Sequence, residues 1–307
     1  MQSENFAVVV LSYNHPNLTL NAIKSLIPFF SAKQILLVHN GSELSLFHQL
    51  ESTLVRLDFP INHLYLPQNL GYSGGMNAGL RFYQQSQLAF RWIFAITNDC
   101  ELTKWDITEW PDIIGVIAPL ILFRHGEKID SFGSYLSQKH FNLLHYKKKS
   151  LELEGQNSDL AIIPEDNQNI SYISGSAFLV HREIIEKNIL MLESLHTYWE
   201  DFLWSQQIKK IGFNLYRTSE ITLKHGGGKT THKNPYYTFF LYQRNRLLVL
   251  STFLNLPQKQ IFILKWFYEN LFRLVFVVKK NKSGYWVYFK QILRDYFSDK
   301  FNKGKIR

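Results

Sequence analysis

The first hundred residues alternate between short apolar runs and longer amphipathic ones, and that rhythm restricts the fold more than any other feature. Residues 6–11 form a β-rich run broken by Ser12-Tyr13-Asn14. A helix is predicted over about 16–26, with Pro16 where a first helical turn tolerates proline. Residues 34–39, 61–66 and 91–97 read as further strands, with helices at about 42–57 and 76–87 between them. The fourth strand is nearly all apolar, as expected where both faces of a parallel sheet are covered. Repeated units of this length imply an α/β fold, an open and mostly parallel sheet with helices on both sides. Ligands of such sheets sit beyond the carboxyl ends of the strands, where Asn14, His39 and Asp99 fall.

The second half is more mixed. Strands are predicted at 113–118, 128–135 and 170–180, a helix at about 201–211, and strands at 213–217 and 221–225. The polar stretch 150–169 reads as a mobile loop. Residues 1–250 are expected to form the main domain and 251–307 a basic, aromatic helical extension. From Lys279 to Arg307 there are nine basic and two acidic residues, so +7 of the chain's net +9 lies in the tail. The remaining, nearly neutral domain argues against nucleic acid as a partner.

In the extension Lys265, Glu269 and Arg273 form one polar stripe among apolar residues, and Trp286, Phe289, Leu293 and Tyr296 recur at helical spacing. Two amphipathic helices lying on an anionic membrane are expected. Helices packed on the domain's own core or on a second copy in a homodimer are the alternative. No stretch is long and apolar enough to suggest a spanning helix. The N-terminus lacks the basic start and long apolar run of a secretory signal, and the single Cys100 fits a reducing compartment. A cytoplasmic protein, peripheral on the inner face of the membrane, is the expectation.

Three places carry candidate chemistry. Asp99 ends the apolar fourth strand, Glu200-Asp201 opens a helix, and His225 ends a later strand. A lone strand-end aspartate is as often a turn or helix cap, and acidic residues favour helix N-termini for structural reasons alone. The helix dipole should keep Glu200 and Asp201 ionised, as a base near neutral pH requires. Trp199, Phe202 and Trp204 would wall the site or stack on a sugar. Asp99 with His225 makes a mixed oxygen and nitrogen set acceptable to Mn2+ or Mg2+. The glycine-rich run 66–79 reads as a loop leading into a helix, whose amides could approach an anion. Gly226-Gly227-Gly228-Lys229-Thr230 is not a P-loop, because Leu223 stands where the motif needs glycine; a cationic lid near phosphate remains an expectation.

The order of motifs is more specific than any one of them. Val8-Val9-Val10-Leu11-Ser12-Tyr13-Asn14, Val38-His39-Asn40-Gly41-Ser42, the run Asn69 to Gly79, Thr97-Asn98-Asp99, Ile173 to Val180, Trp199-Glu200-Asp201 and His225-Gly226-Gly227 follow one another in sequence. This series resembles glycosyltransferase family 2, in particular its rhamnosyltransferase and galactofuranosyltransferase-like branch. The likeness covers about residues 5–250, including Gln243-Arg244-Asn245. It implies a GT-A (Rossmann-like) fold and inverting transfer of a hexosyl or rhamnosyl unit from a nucleotide-diphosphate sugar, on UDP or dTDP, to a glycan or lipid-linked acceptor of a surface polysaccharide.

By the same resemblance Asp201 matches the catalytic base, with Glu200 beside it, and Asp99 matches the metal-binding end of an Asp-X-Asp motif whose first position is Thr97. His225 matches the histidine completing the metal site, while Asn14, His39, Asn77, Asn98 and Asp99 fall along the nucleotide site. The family usually has aspartate where this chain has His39. Two other readings compete. A nucleotidyltransferase would carry a glycine-rich basic loop where this chain has Ser12-Tyr13-Asn14-His15, and a degenerate assembly partner would bind the donor without turnover.

Overall fold

Strand β1 (Phe6–Ser12) is buried along its whole length and pairs in parallel with β2 (Ile35–Asn40) and β4 (Trp92–Thr97). The computed structural model describes residues 5–56, 58–86, 88–107, 112–124, 129–137, 142–145, 170–226, 235–277 and 282–298. Parallel pairing continues outward to β3 (Asn62–Leu66). Beyond β4 the sheet turns mixed. β10 (Ala177–His181) runs antiparallel to both β4 and β6 (Gly115–Phe123), and β11 (Asn214–His225) runs parallel to β6. The order is β3-β2-β1-β4-β10-β6-β11-β5, with the short β7 (Ile129–Ser131) paired to β6 and β5 (Cys100–Trp105) at the far edge. A separate hairpin joins β8 (Ser134–Ser137) and β9 (Asn142–His145).

Alternation along β1 and β4 sends side chains to two cores. Val8, Val10, Phe94 and Ile96 pack with Ala22, Ile23 and Leu26 of α1 (Pro16–Leu26), while α2 (Leu44–Arg56) adds Leu50 and Leu54. On the other face Val9, Leu11, Ile93 and Ala95 pack with Met76, Leu80 and Tyr83 of α3 (Gly71–Gln84) and with Trp204 and Ile208 of α5 (Glu200–Lys210). The five-residue α4 (Arg182–Glu186) follows β10.

Several expectations change. The glycine-rich run is not a loop, because α3 begins at Gly71, five residues before the predicted start. Its glycines serve packing instead: a Cβ on Gly75 would lie 2.6 Å from Leu11 Cδ1, and one on Gly79 would lie 2.5 Å from Val9 Cγ1. Only a bare face lets this helix sit so close to β1. The predicted strand at 128–135 is two short strands, and that at 170–180 shortens to β10. The two predicted strands before His225 are one strand, β11, bulged between Thr218 and Thr222. β5 has no counterpart in the sequence reading, since its alternation breaks after Thr103, where the pairing with β11 shifts register and Lys104 is a second polar residue in a row. The expected loop at 150–169 lies outside the described residues.

The C-terminal helices are α6 (Pro235–Phe253), α7 (Leu256–Phe272), continued by a π-helical turn over Arg273–Val277, and α8 (Lys282–Phe297). The boundary expected at residue 250 falls inside α6. A third apolar cluster joins Phe262 and Trp266 of α7 and Phe289 of α8 to Trp199, Phe202 and Leu203 at the start of α5. Trp266 and Phe289, which a membrane-lying tail would present to lipid, are 1% and 3% exposed and stack on each other at 5.8 Å. No helix among the described residues is long and apolar enough to cross a membrane.

Candidate active site

Register builds the first half of the site. The last residue of β11, His225, pairs with Cys100 on one side and Phe123 on the other, which sets its ring beside Asp99 at the break between β4 and β5. His225 Nε2 lies 3.3 Å from Asp99 Oδ2, and its Nδ1 lies 2.7 Å from Asp130 Oδ2. Burial disfavours a charge on this imidazole, but hydrogen bonds to Asp130 and Asp99 outweigh it and raise its pKa to about 9. Thr97 donates its hydroxyl to Asp99 Oδ1 at 2.7 Å, and the Gly226 amide donates to the Asp99 carbonyl. Arg124 stands beside this corner, its guanidinium paired with Glu101 at 2.6 Å.

Asp99, Cys100 and His225 hold ligand atoms within 4.8 Å of one another. The carboxylate and the imidazole suit a hard or borderline divalent ion. The thiol suits it poorly: burial, and next the Asp99 charge, push its pKa well up, and it donates to the Ser176 carbonyl. Asp130 on the far nitrogen of His225 is the kind of outer partner that fixes a metal-binding imidazole. The sequence reading missed it, since an aspartate within a short strand carries no signal of its own.

The second half is a cleft of about 450 Å³ lined by Tyr72, Thr97, Tyr172, Ser174 to Ser176, residues 197–201 and Tyr242. Thr97 belongs to both halves, so the cleft opens directly beside the Asp99 corner. Asp201, in the first turn of α5, faces the cleft and accepts from the Gly175 amide at 3.1 Å and the Phe202 amide at 2.8 Å. Burial raises its pKa to about 6 despite those hydrogen bonds. Glu200 is 4% exposed, its Oε2 has no hydrogen-bond partner, and burial followed by the Asp201 charge lifts its pKa well above the carboxylate range. The dipole argument for two ionised acids therefore fails. Desolvation outweighs a helix terminus worth about 0.3–1 kcal/mol, and burial drives Glu200 toward its protonated form.

Backbone strain converges on these acids. His196, Tyr198 and Trp199 have φ of 66°, 69° and 71°, which costs bulky residues about 1–3 kcal/mol each. Their partner is Asn245 of α6, which falls within the family resemblance but to which the sequence assigns no role. Its amide donates to the carbonyls of Leu195, Thr197 and Tyr198 at 2.8 Å each, while Arg244 donates to those of Ser194 and Leu195. Of the expected aromatic walls only Trp199 lines the cleft. Phe202 is buried in the third cluster, and Trp204 packs on Phe178 beneath the sheet.

The expected nucleotide contacts divide. Asn14 and His39 meet in a small hollow with Ser12 and Ser42 at the ends of β1 and β2. His39 stacks on Tyr65 at 4.8 Å and on His63, and burial, then His63, lowers its pKa to about 4, so the ring is neutral. Asn98 ties this hollow to Asp99 by donating to Thr19 and to the Asn14 carbonyl. Asn77 is not brought there. Its amide is 0% exposed and is committed to Met191 and Glu193, latching α3 to the segment before α5. Beyond Gly226 the expected cationic lid lies outside the described residues.

A sheet switching from parallel to mixed, with an acid and an imidazole at its strand ends and a second acid across a cleft, is the GT-A architecture of glycosyltransferases. The chain belongs to Glycosyl transferase family 2, whose family model matches residues 7–189. Among solved structures it is similar to GalNAc-T7 with UDP, GalNAc and Mn2+, at TM-score 0.57 and 14% identity over 81% of this chain and 48% of that one. It therefore spans about half the length of that protein. It is also similar to residues 1–349 of S. aureus TarS (TM-score 0.52, 13% identity, 92% and 77% covered). A third similar structure is the mannosyltransferase PcManGT from Pyrobaculum calidifontis with GDP-Man and Mn2+ (0.50, 9%, 96% and 88%). No curated protein matches the chain.

Proposed function

We propose that the chain is an inverting glycosyltransferase that moves a hexosyl or rhamnosyl unit from a nucleotide-diphosphate sugar to a hydroxyl of a glycan or lipid-linked acceptor. The observation that carries this reading is Asp201. It is a carboxyl group with pKa about 6, facing a 450 Å³ cleft that shares Thr97 with the Asp99–His225 corner. Most of this group is ionised at neutral pH, yet it remains basic enough to accept a proton.

Asp201 takes the proton of the acceptor hydroxyl as that oxygen attacks the anomeric carbon. The bond from this carbon to the diphosphate oxygen breaks on the opposite face, and its electron pair leaves with the nucleoside diphosphate. The Gly175 and Phe202 amides hold the carboxylate for this transfer. Glu200, beside it in the cleft and driven by burial toward its protonated form, can donate a hydrogen bond to the acceptor. A divalent cation, Mn2+ or Mg2+, held by Asp99 and His225, would supply positive charge to the leaving diphosphate. Mn2+ beside UDP or GDP-Man in proteins of similar fold supports that assignment. Asn14 and neutral His39 are assigned to the nucleoside, with UDP or dTDP the expected carriers.

A screen of UDP-, dTDP- and GDP-sugars for release of nucleoside diphosphate tests the reading. At least one donor should be hydrolysed slowly in the presence of Mn2+, and faster with an acceptor. Binding of a donor with no turnover under any acceptor would overturn the enzymatic role.

A further inference from the structure

We propose that the outer face of α7 docks the protein onto an anionic lipid bilayer. The inner face of this helix, Phe262, Trp266 and Asn270, is buried against α6 and α8. Opposite it, Pro257, Ile261, Leu264 and Tyr268 follow at i, i+4, i+7 and i+11, all exposed, with Ile261, Leu264 and Tyr268 at 58%, 59% and 66%. The line continues to Phe272, 59% exposed, so it runs about 22 Å at 1.5 Å per residue. Large apolar residues set singly on a surface are ordinary, but one continuous helical stripe of them is not.

Charge selects the occupant. From Leu256 to Arg307 there are twelve basic and three acidic residues, which leaves twenty-two of each in the rest of the chain. The whole net charge of +9 thus follows the start of α7. Glu269, the one acid on α7, is neutralised by Arg246 at 2.9 Å. Arg273 at the end of the helix is exposed, as are Lys290 and Arg294 on α8. A second copy docked on the same face would bring the exposed Arg273, which directly follows the stripe, against its own like charge. A surface of anionic headgroups meets both features, taking the apolar stripe below the headgroups and the cations among them.

The face is coupled to the cleft. Tyr242 and Phe253 of α6 contact Trp199 and Phe202 at 6.0 and 5.9 Å, so a docked α7 lies one helix away from Asp201. Given the glycosyltransferase reading, this placement suits an acceptor whose lipid stays in the bilayer. The docking itself does not depend on that reading.

The test is co-sedimentation of the full chain with phosphatidylcholine vesicles, with and without phosphatidylglycerol, and light scattering for mass. Wild type should bind the anionic vesicles, more weakly but still measurably at high salt. The double variant Leu264→Gln/Tyr268→Gln should bind about tenfold more weakly, with an unchanged melting profile because both side chains are exposed. Wild type that ignores anionic vesicles would overturn the proposal. So would a double variant that binds equally well, or a stable dimer that the variant dissociates. Donor turnover is read separately, so failure of the enzymatic reading would leave the vesicle result standing.

Discussion

Replacing Asp201 by asparagine should lower transfer by about 10²–10⁴-fold, the usual loss when a general base is removed, while donor binding persists. The amide can keep one of the two backbone hydrogen bonds but cannot take a proton. The same variant should be at least as stable as wild type at neutral pH. The folded Asp201 pKa, about 6, lies above its usual 3.8, so its contribution to stability is fullest below about pH 4 and is lost as pH rises through about 6. Ionised Asp201 is therefore a strain on the fold that asparagine relieves. Glu200→Gln should be tolerated far better, because burial already favours the uncharged form of Glu200. Turnover by Asp201→Asn above half of wild type would remove Asp201 from the role of base; a large loss of melting temperature would attribute the defect to folding.

Chelation and ligand removal should have the next largest effect. EDTA should abolish donor turnover, and Asp99→Ala and His225→Ala should each raise the half-saturating Mn2+ concentration. Asp130→Asn, acting through the far nitrogen of His225, should raise it by about 10–100-fold. Because the free imidazole holds its proton up to about pH 9, the ion must displace it, and half-saturation should fall as pH rises toward that value. Titration of activity with Mn2+ at several pH values reads all of these. Full activity in EDTA would remove the cation from the account and leave diphosphate charge to side chains such as Arg124.

The parallel half of the sheet was legible because β1, β2 and β4 are continuous apolar runs, and burial on both faces produces no other pattern. The helix over the glycines was not. Gly71, Gly74 and Gly75 read locally as a turn, and only the close approach of Gly75 to Leu11 and of Gly79 to Val9 explains a helix there. Asp99, Asp201 and His225 were legible as strand-end and helix-start residues, but their charge states were not, since burial is a tertiary property. Asp130 and Asn245 were invisible as partners for a related reason: they lie 95 and 47 or more residues from the groups they hold. The aromatic tail had two readings, and periodicity could not choose between them. Trp266 and Phe289 proved to be core, while the exposed stripe lies on the other side of the same helix.

The role proposed for Asp201 is that of base in a metal-assisted sugar transfer, working at a pKa raised by burial. The most direct measurement is the pH dependence of donor turnover at saturating Mn2+, for wild type and for Asp201→Asn. An acid limb with its midpoint near pH 6 is expected in the wild type and should be absent from the residual rate of the variant. A wild-type rate that is flat across about pH 5–8, or a limb at about pH 4 as for an ordinary exposed carboxylate, would contradict it.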